Sequence, residues 1–375
     1  MGNQGAHHSR ASLNARMMAR AITLAKRGQG RVEPNPMVGC VIVRGGRIIG
    51  EGYHRRFGKA HAEVEALRDC SENPRGATIY VSLEPCCHTG KTPPCTTALI
   101  EAGIGKVVIG TRDPSPEVNG KGIRRLRAAG ITVQTGALAD EARELIAPFT
   151  TRSTLGRPFV IAKWAQSLDG RLGTSTGDSR WISCEASRHR VHQLRARVDA
   201  VVVGSGTVLT DNPRLTARGV SLRRRATRVV VDSRLRIPPE CELVTTSENV
   251  PTLVVTTSQK AATKKSKTMR NAGVEIVACR ARGGRVLLGD VLRKMAGREM
   301  TNVLVEGGPM FLGSLLEAGL VDEAFVFIAP ILLGGVGSAG TLRNLGVRRV
   351  VDAARPRRVT TIKSGDDTLC HLRMT

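Results

Sequence analysis

Apolar and polar positions along the first 150 residues switch repeatedly between a helical period and strand-length runs. Leu13, Met17, Ala21, Leu24 and Ala25 recur at helical spacing behind Ser12, a residue able to cap a helix. Residues 38–43 form an apolar run of strand length, which Gly45-Gly46 turns into a hairpin with residues 47–51. The pattern then predicts a helix over 61–68, a strand over 77–83, a helix over 95–102 and a strand over 106–110. A helix over 122–129, a strand over 131–134 and a helix over 140–147 complete the set. Strands alternating with helices predict a three-layer α/β/α sandwich.

Pro148 to Pro158 breaks this rhythm with Thr, Ser and Gly. A linker is expected at 151–158, between a domain of residues 1–150 and another of residues 159–375. Beyond it, runs at 159–164, 200–204, 228–232, 252–256, 274–278, 302–306 and 322–329 read as strands. Helices over 184–197, 287–297 and 310–318 lie between them, predicting a second α/β domain. Residues 258–271 are polar and Lys-rich, a solvated helix or loop. There is no internal repeat.

Composition narrows the class. The 375 residues are 41% hydrophobic and 24% charged, near globular averages. No apolar run approaches the roughly 18 residues of a membrane-spanning helix, and residues 1–10 lack the apolar core of a signal peptide. A soluble, cytoplasmic protein is expected, touching no membrane. The formal charge of +25 attracts anions. Aromatic residues make up only 3%, which leaves few platforms for stacking single-stranded bases. Phosphorylated small molecules are therefore the expected substrates, and nucleic acid is not. Nine cysteines is an odd number for a disulfide framework, and three of them, Cys86, Cys87 and Cys95, fall within ten residues. Such a cluster points to metal or catalysis.

The strongest chemical signal is His61-Ala62-Glu63 followed by Glu84-Pro85-Cys86-Cys87-His88-Thr89-Gly90-Lys91-Thr92-Pro93-Pro94-Cys95. One imidazole and two thiolates, at His61, Cys86 and Cys95, make a three-ligand zinc site whose fourth position is open to water. Zinc acidifies such a water to a pKa of about 7. Glu63, two residues past the first ligand, can take the proton and pass it to a leaving amine. H-x-E followed by P-C-x-x-C is the signature of zinc nucleobase deaminases, here stretched to eight residues between Cys86 and Cys95. Either Cys86 or the adjacent Cys87 can supply the first thiolate; Cys86 is chosen because it directly follows Glu84-Pro85. A closed structural knot that uses Cys87 or His88 as fourth ligand is the competing reading.

In the second half, Glu306-Gly307-Gly308-Pro309 joins an apolar strand to a helix, a turn whose backbone can approach a phosphate. Ser167-Leu168-Asp169-Gly170-Arg171 and the run from Gly204 to Pro213 follow other strands. A literal G-x-G-x-x-G at Gly335, Gly337 and Gly340 has no convincing helix after it and is rejected as a dinucleotide fingerprint.

With Pro34-Asn35-Pro36-Met37-Val38-Gly39 and Gly52-Tyr53-His54, the zinc stretch resembles the deaminase half of the bifunctional riboflavin-biosynthesis deaminase/reductase family. The second-half segments resemble its reductase half, in the same order, over nearly the whole chain. The resemblance implies a cytidine-deaminase-like domain followed by a dihydrofolate-reductase-like domain, with Zn²⁺ and NADPH as cofactors. It implies zinc ligands at His61, Cys86 and Cys95, a proton carrier at Glu63, and pyrimidine and phosphate contacts at Asn35, His54, His88 and Lys91. Cys87 departs from the family, which usually has Ser there. In the reductase half it implies cofactor positions at Ala165, Trp181, Thr207, Asp211, Gly308, Pro309, Met310, Phe311, Leu312, Gly313 and Ser314. Substrate positions follow at Ser179, Arg195, Leu215, Arg218 and Glu306, with Lys163 and Asp211 near the reacting ribose. Arg195 and Arg218 suit a phosphate clamp. Trp181, one of two tryptophans, is either core or a flat wall for the cofactor.

The implied reaction sequence deaminates 2,5-diamino-6-ribosylamino-4(3H)-pyrimidinone 5′-phosphate and then reduces its ribosyl chain to ribityl. A homo-oligomer is expected. Two rivals differ in class: a tRNA or mononucleotide deaminase with an unrelated C-terminal domain, and a basic zinc-stabilised RNA-binding module.

Overall fold

The computed structural model describes residues 2–90, 92–176, 178–334, 342 and 346–374. The chain divides into two compact units, Met1–Gly156 and Arg157–Thr375. Residues 151–155 of the expected linker are helical, as the end of the helix Ala147–Leu155. Pro148 occupies its first turn, where a missing N–H costs nothing, and Gly156 ends it in the left-handed conformation (φ 63°).

In the first unit, strands β1 (Gly39–Arg44), β2 (Arg47–Tyr53), β3 (Thr78–Leu83), β4 (Lys106–Thr111) and β5 (Thr132–Thr135) form one sheet of order β2-β1-β3-β4-β5. β1 pairs antiparallel with β2 and β3, whereas β3, β4 and β5 are parallel. The strand period of two assigns each face its own core. Cys40, Ile42, Ile79, Val81, Val107 and Ile109 pack with Ala62, Ala66, Leu99, Ile123 and Leu126 from helices on one side. Val41, Val43, Tyr80 and Val108 pack with Met17, Met18, Ala21 and Leu24, and with Ala142 and Leu145, on the other. Three layers result, as the pattern predicts.

One glycine sets how closely a helix bearing site residues can approach. A Cβ at Gly52 on β2 would lie 2.3 Å from both the Ala62 carbonyl oxygen and the Ala66 nitrogen, which are backbone atoms of the helix Ala62–Arg68. Gly52→Ala must therefore push that helix off the sheet. We expect a loss of about 3 kcal/mol in the stability of this unit, at the upper end for overpacking, measured by urea denaturation.

The second unit is a nine-stranded sheet. Its strands are β6 (Phe159–Ser167), β7 (Ala200–Gly204), β8 (Thr227–Val231), β9 (Thr252–Thr257), β10 (Glu275–Cys279), β13 (Asn302–Val305), β14 (Glu323–Ala329), β15 (Arg358–Ser364) and β16 (Asp367–Arg373). A separate two-residue hairpin supplies β11 (Ala281–Arg282) and β12 (Arg285–Val286). The order is β10-β9-β8-β7-β13-β6-β14-β16-β15. The first seven are parallel and Val-rich, as strands buried on both faces are. The last two run antiparallel and were not anticipated, because β15 is solvated and its Thr and Lys residues dilute any apolar run. The Lys-rich stretch is helical at Ser258–Ala261 and Lys264–Asn271.

Candidate active sites

The carboxyl end of β3 and the starts of two helices build the first site. His61, in extended conformation, caps the helix Ala62–Arg68, and Cys95 opens the helix Cys95–Glu101. Cys86 lies in the loop after β3, fixed from both sides. Glu84 accepts hydrogen bonds from the backbone N–H groups of Asp113, Gly120 and Ile123 at 3.3, 2.9 and 3.1 Å. Arg125 donates to the Cys87 carbonyl at 3.3 Å and to Thr97 Oγ1 at 3.0 Å.

Among the described residues, the ligand atoms of His61, Cys86 and Cys95 converge to within 4.8 Å of one another. His61 Nδ1 is 3.6 Å from Cys86 Sγ and 3.2 Å from Cys95 Sγ. Donors of one tetrahedral zinc, at ~2.0–2.3 Å from the ion, lie roughly 3.3–3.8 Å apart, so the set fits that ion. Cys87 is not part of this group; its carbonyl is held by Arg125 instead. Hydrogen bonds from Cys95 and His61 pull the Cys86 thiol down to about 4, towards the thiolate that ligates metal. The same hydrogen bond, together with burial, pushes Cys95 up.

Glu63, only 3% exposed, is raised above the usual carboxylate range, chiefly by burial. His54, 2% exposed, stands 5.2 Å edge-on from the His61 ring. Its Nδ1 faces the Ala60 carbonyl at 3.0 Å and its Nε2 faces Asn35 Nδ2 at 3.3 Å. The carbonyl requires a proton on Nδ1, so Asn35 donates to Nε2. Burial keeps this imidazole below its ordinary range and neutral. His88 is exposed, 3.9 Å from Glu117, and Lys91 lies outside the described residues.

Lys163, Ala165, Ser179, Trp181, Arg195, Thr207, Asp211, Arg218, Glu306, Gly308, Pro309, Met310, Phe311 and Ser314 all line one cleft of about 1240 Å³ in the second unit. Leu215, Leu312 and Gly313 do not line it. The helix Pro309–Glu317 turns Met310, Phe311 and Ser314 to the cleft, while Leu312 and Leu315 enter the core. Leu215 is buried, with a left-handed backbone (φ 55°). Trp181 is 73% exposed, and so is not core; the Arg188 guanidinium lies 4.8 Å over its ring.

Arg195 is forked onto Glu306 by two 2.6 Å hydrogen bonds and gives a third, of 3.1 Å, to the Thr216 carbonyl. Its guanidinium is thus largely committed within the protein. Arg218, whose backbone N–H donates to His192 Nδ1 at 3.2 Å, remains the freer cation. Lys163 is lowered by burial, which the nearby Glu306 opposes. Arg188 and His192 also line the cleft and were given no role from sequence. Their spacing with Arg195, at four and then three residues, places all three on one helix face. The rejected glycine motif at 335–340 lies outside the described residues.

Residues 158–366 match the model of the RibD C-terminal domain, and residues 11–111 match the zinc-binding region of cytidine and deoxycytidylate deaminases. The riboflavin biosynthesis protein RibD of Actinobacillus pleuropneumoniae is 42% identical over 352 residues, covering 94% of this chain and 93% of its own. The structure of Acinetobacter baumannii RibD superposes with a TM-score of 0.85 at 34% identity, covering 97% of this chain and 99% of that one. A diaminohydroxyphosphoribosylaminopyrimidine deaminase/5-amino-6-(5-phosphoribosylamino)uracil reductase from Thermotoga maritima gives 0.84 at 38% identity, covering 98% and 100%. The C-terminal match removes the rival with an unrelated second domain. With a zinc-type donor set in one unit and a glycine-turn cleft in the other, the chain belongs to the riboflavin biosynthesis protein RibD family.

Proposed function

We propose that the chain deaminates a phosphoribosylaminopyrimidine in its first unit and reduces the resulting phosphoribosylaminouracil in its second. The convergence of His61, Cys86 and Cys95 beside buried Glu63 carries this reading. Those three residues would hold zinc, which would supply an acidified water. Glu63 would take the proton from that water and deliver it to the exocyclic amine, so that oxygen bonds to the ring carbon, the carbon–nitrogen bond breaks and ammonia leaves. Asn35, oriented by His54, holds the ring, and His88 and Lys91 serve the phosphate.

NADPH, held in the cleft, would supply the hydride that reduces C1′ of the ring-opened ribose. Trp181 and Gly308, Pro309, Met310, Phe311 and Ser314 seat the cofactor, Lys163 and Asp211 face the reacting ribose, and Arg218 takes the substrate phosphate. Arg195 and Glu306, paired with each other, complete the substrate positions. The reading extends to a homo-oligomeric, cytoplasmic enzyme without nucleic-acid partners. No helix among the described residues is long and apolar enough to cross a membrane.

Incubation with the diaminopyrimidine substrate and NADPH, following ammonia and cofactor absorbance together, tests the proposal. Ammonia should appear first and NADPH oxidation should depend on it. Oxidation without ammonia, or neither signal, overturns the two-step order or the activity. Stripping zinc with a chelator should lower the melting temperature of the first unit by several degrees and leave the second unit unchanged, because binding energy is then lost from one fold only. Calorimetry with and without added zinc checks this.

A further inference from the structure

The helix Glu185–Arg195 faces the cleft of the second unit with Arg188, His192 and Arg195, and two of these grip the same stretch of main chain. Arg195 donates to the Thr216 carbonyl at 3.1 Å, and His192 Nδ1 accepts the Arg218 N–H at 3.2 Å. Residues 212–226 form neither helix nor strand, so no ladder of backbone hydrogen bonds fixes where Arg218 stands. Leu215, buried in the left-handed conformation (φ 55°), seats one end of this segment. Arg218 follows three residues later, exposed, with its guanidinium donating to Thr216 Oγ1 at 3.1 Å. Farther on, the N–H groups of Arg223 and Arg224 return to the Ala196 carbonyl, just past the same helix, at 3.1 and 2.9 Å.

That helix is a firm base. Its Val191 and Leu194 are buried. The Cys184 N–H at its start donates to Asp367 at 2.9 Å, and Ser187 Oγ donates to Ser364 Oγ at 3.0 Å. His192 can accept from Arg218 only while Nδ1 carries no proton, which places the ring proton on Nε2. Burial keeps the imidazole below its ordinary range, and the charges of Arg195 on its own helix and Arg218 on the facing segment act the same way. Glu306, from the glycine turn, and the Thr216 carbonyl oppose them. A neutral ring adds no charge to the cleft, so its contribution lies in what it holds.

Resting on the reading of Arg218 as the residue that takes the substrate phosphate, we propose that His192 is a positioning residue for the reduction. By holding the Arg218 main chain, it keeps that guanidinium at the cleft wall where the phosphate arrives. An arginine side chain loses much rotamer freedom when it is immobilised on a ligand. Fixing its main chain beforehand removes part of the search. The histidine therefore acts on the binding of the phosphorylated substrate, and on neither the hydride step nor the cofactor.

Steady-state reduction of the phosphoribosylaminouracil by the full chain, followed at the NADPH absorbance, tests this. His192→Leu should raise the KM for that substrate about fivefold, as expected for one lost hydrogen bond, with kcat and the KM for NADPH close to wild type. His192→Asn, whose Oδ1 stands as many bonds from the main chain as Nδ1, should recover most of the loss, whereas His192→Gln should not. In an Arg218→Gln background, His192→Leu should have no further effect, because the two residues act as one unit. An unchanged substrate KM in His192→Leu, or a KM for NADPH that rises with it, overturns the positioning role. So does recovery by Gln instead of Asn, or a full effect in the absence of the Arg218 side chain. Arg218→Gln with an unaltered substrate KM overturns the phosphate reading itself. If the leucine variant melts below the wild type, Asn against Gln, both polar and neutral, decides by the same KM ratio.

Discussion

The Glu63→Gln enzyme should retain its zinc and release ammonia about 10³-fold more slowly than the wild type. Glutamine keeps the volume and packing of a side chain that is 3% exposed, and the three ligands are untouched. What it loses is the capacity to accept a proton. Burial raises Glu63 above the ordinary carboxylate range, which suits a group that must hold a proton briefly and then release it to nitrogen. Metal analysis of the purified variant beside an ammonia assay checks both halves of the expectation. Unimpaired release with zinc in place would remove Glu63 from the mechanism.

Arg195→Met should destabilise the second unit by about 3–5 kcal/mol, the cost of stranding a buried charge. Both members of the Arg195–Glu306 pair are largely buried, with side chains only 14% and 11% exposed. Burial acts to raise Glu306, but Arg195 outweighs it and holds the carboxyl below its usual range. A lowered carboxylate contributes stability that is present above its unfolded value, about 4.3. That contribution is lost as pH falls through the folded value. In Arg195→Met the sign reverses: burial then dominates, and the deficit should be largest at neutral pH and shrink on acidification. Adding Glu306→Leu should recover more than half of the lost stability while leaving reduction inactive. Urea denaturation at several pH values reads all three proteins; a cost below 1 kcal/mol for the single variant would show that the pair contributes little.

The two sites differed in how far they could be read from sequence, for a geometric reason. The metal donors sit in two short segments, 61–63 and 84–95, whose residue types alone restrict the chemistry. The cleft is assembled from the ends of several parallel strands, so its residues are scattered along the chain and none is diagnostic by itself. A resemblance transfers such residues in blocks and ignores side-chain direction; Leu312 and Gly313 travelled with Phe311 and Ser314 although the helix turns them away. His192 and Arg188 drew no role from the sequence because their face becomes visible only once the helix register is fixed against Arg195. The parallel strands were legible as apolar runs, whereas the final antiparallel hairpin has an exposed outer strand and no such run.

The buried His54 has a consequence for what the first site can recognise. Because the Ala60 carbonyl claims the only ring proton, the amide of Asn35 cannot be turned over without losing its partner. With the amide nitrogen committed to His54, Asn35 keeps only its oxygen, an acceptor, for a ring held as proposed, and that ring would have to bring a hydrogen-bond donor. A main-chain carbonyl six residues from the histidine thus dictates, through the imidazole, which way round the Asn35 amide is held.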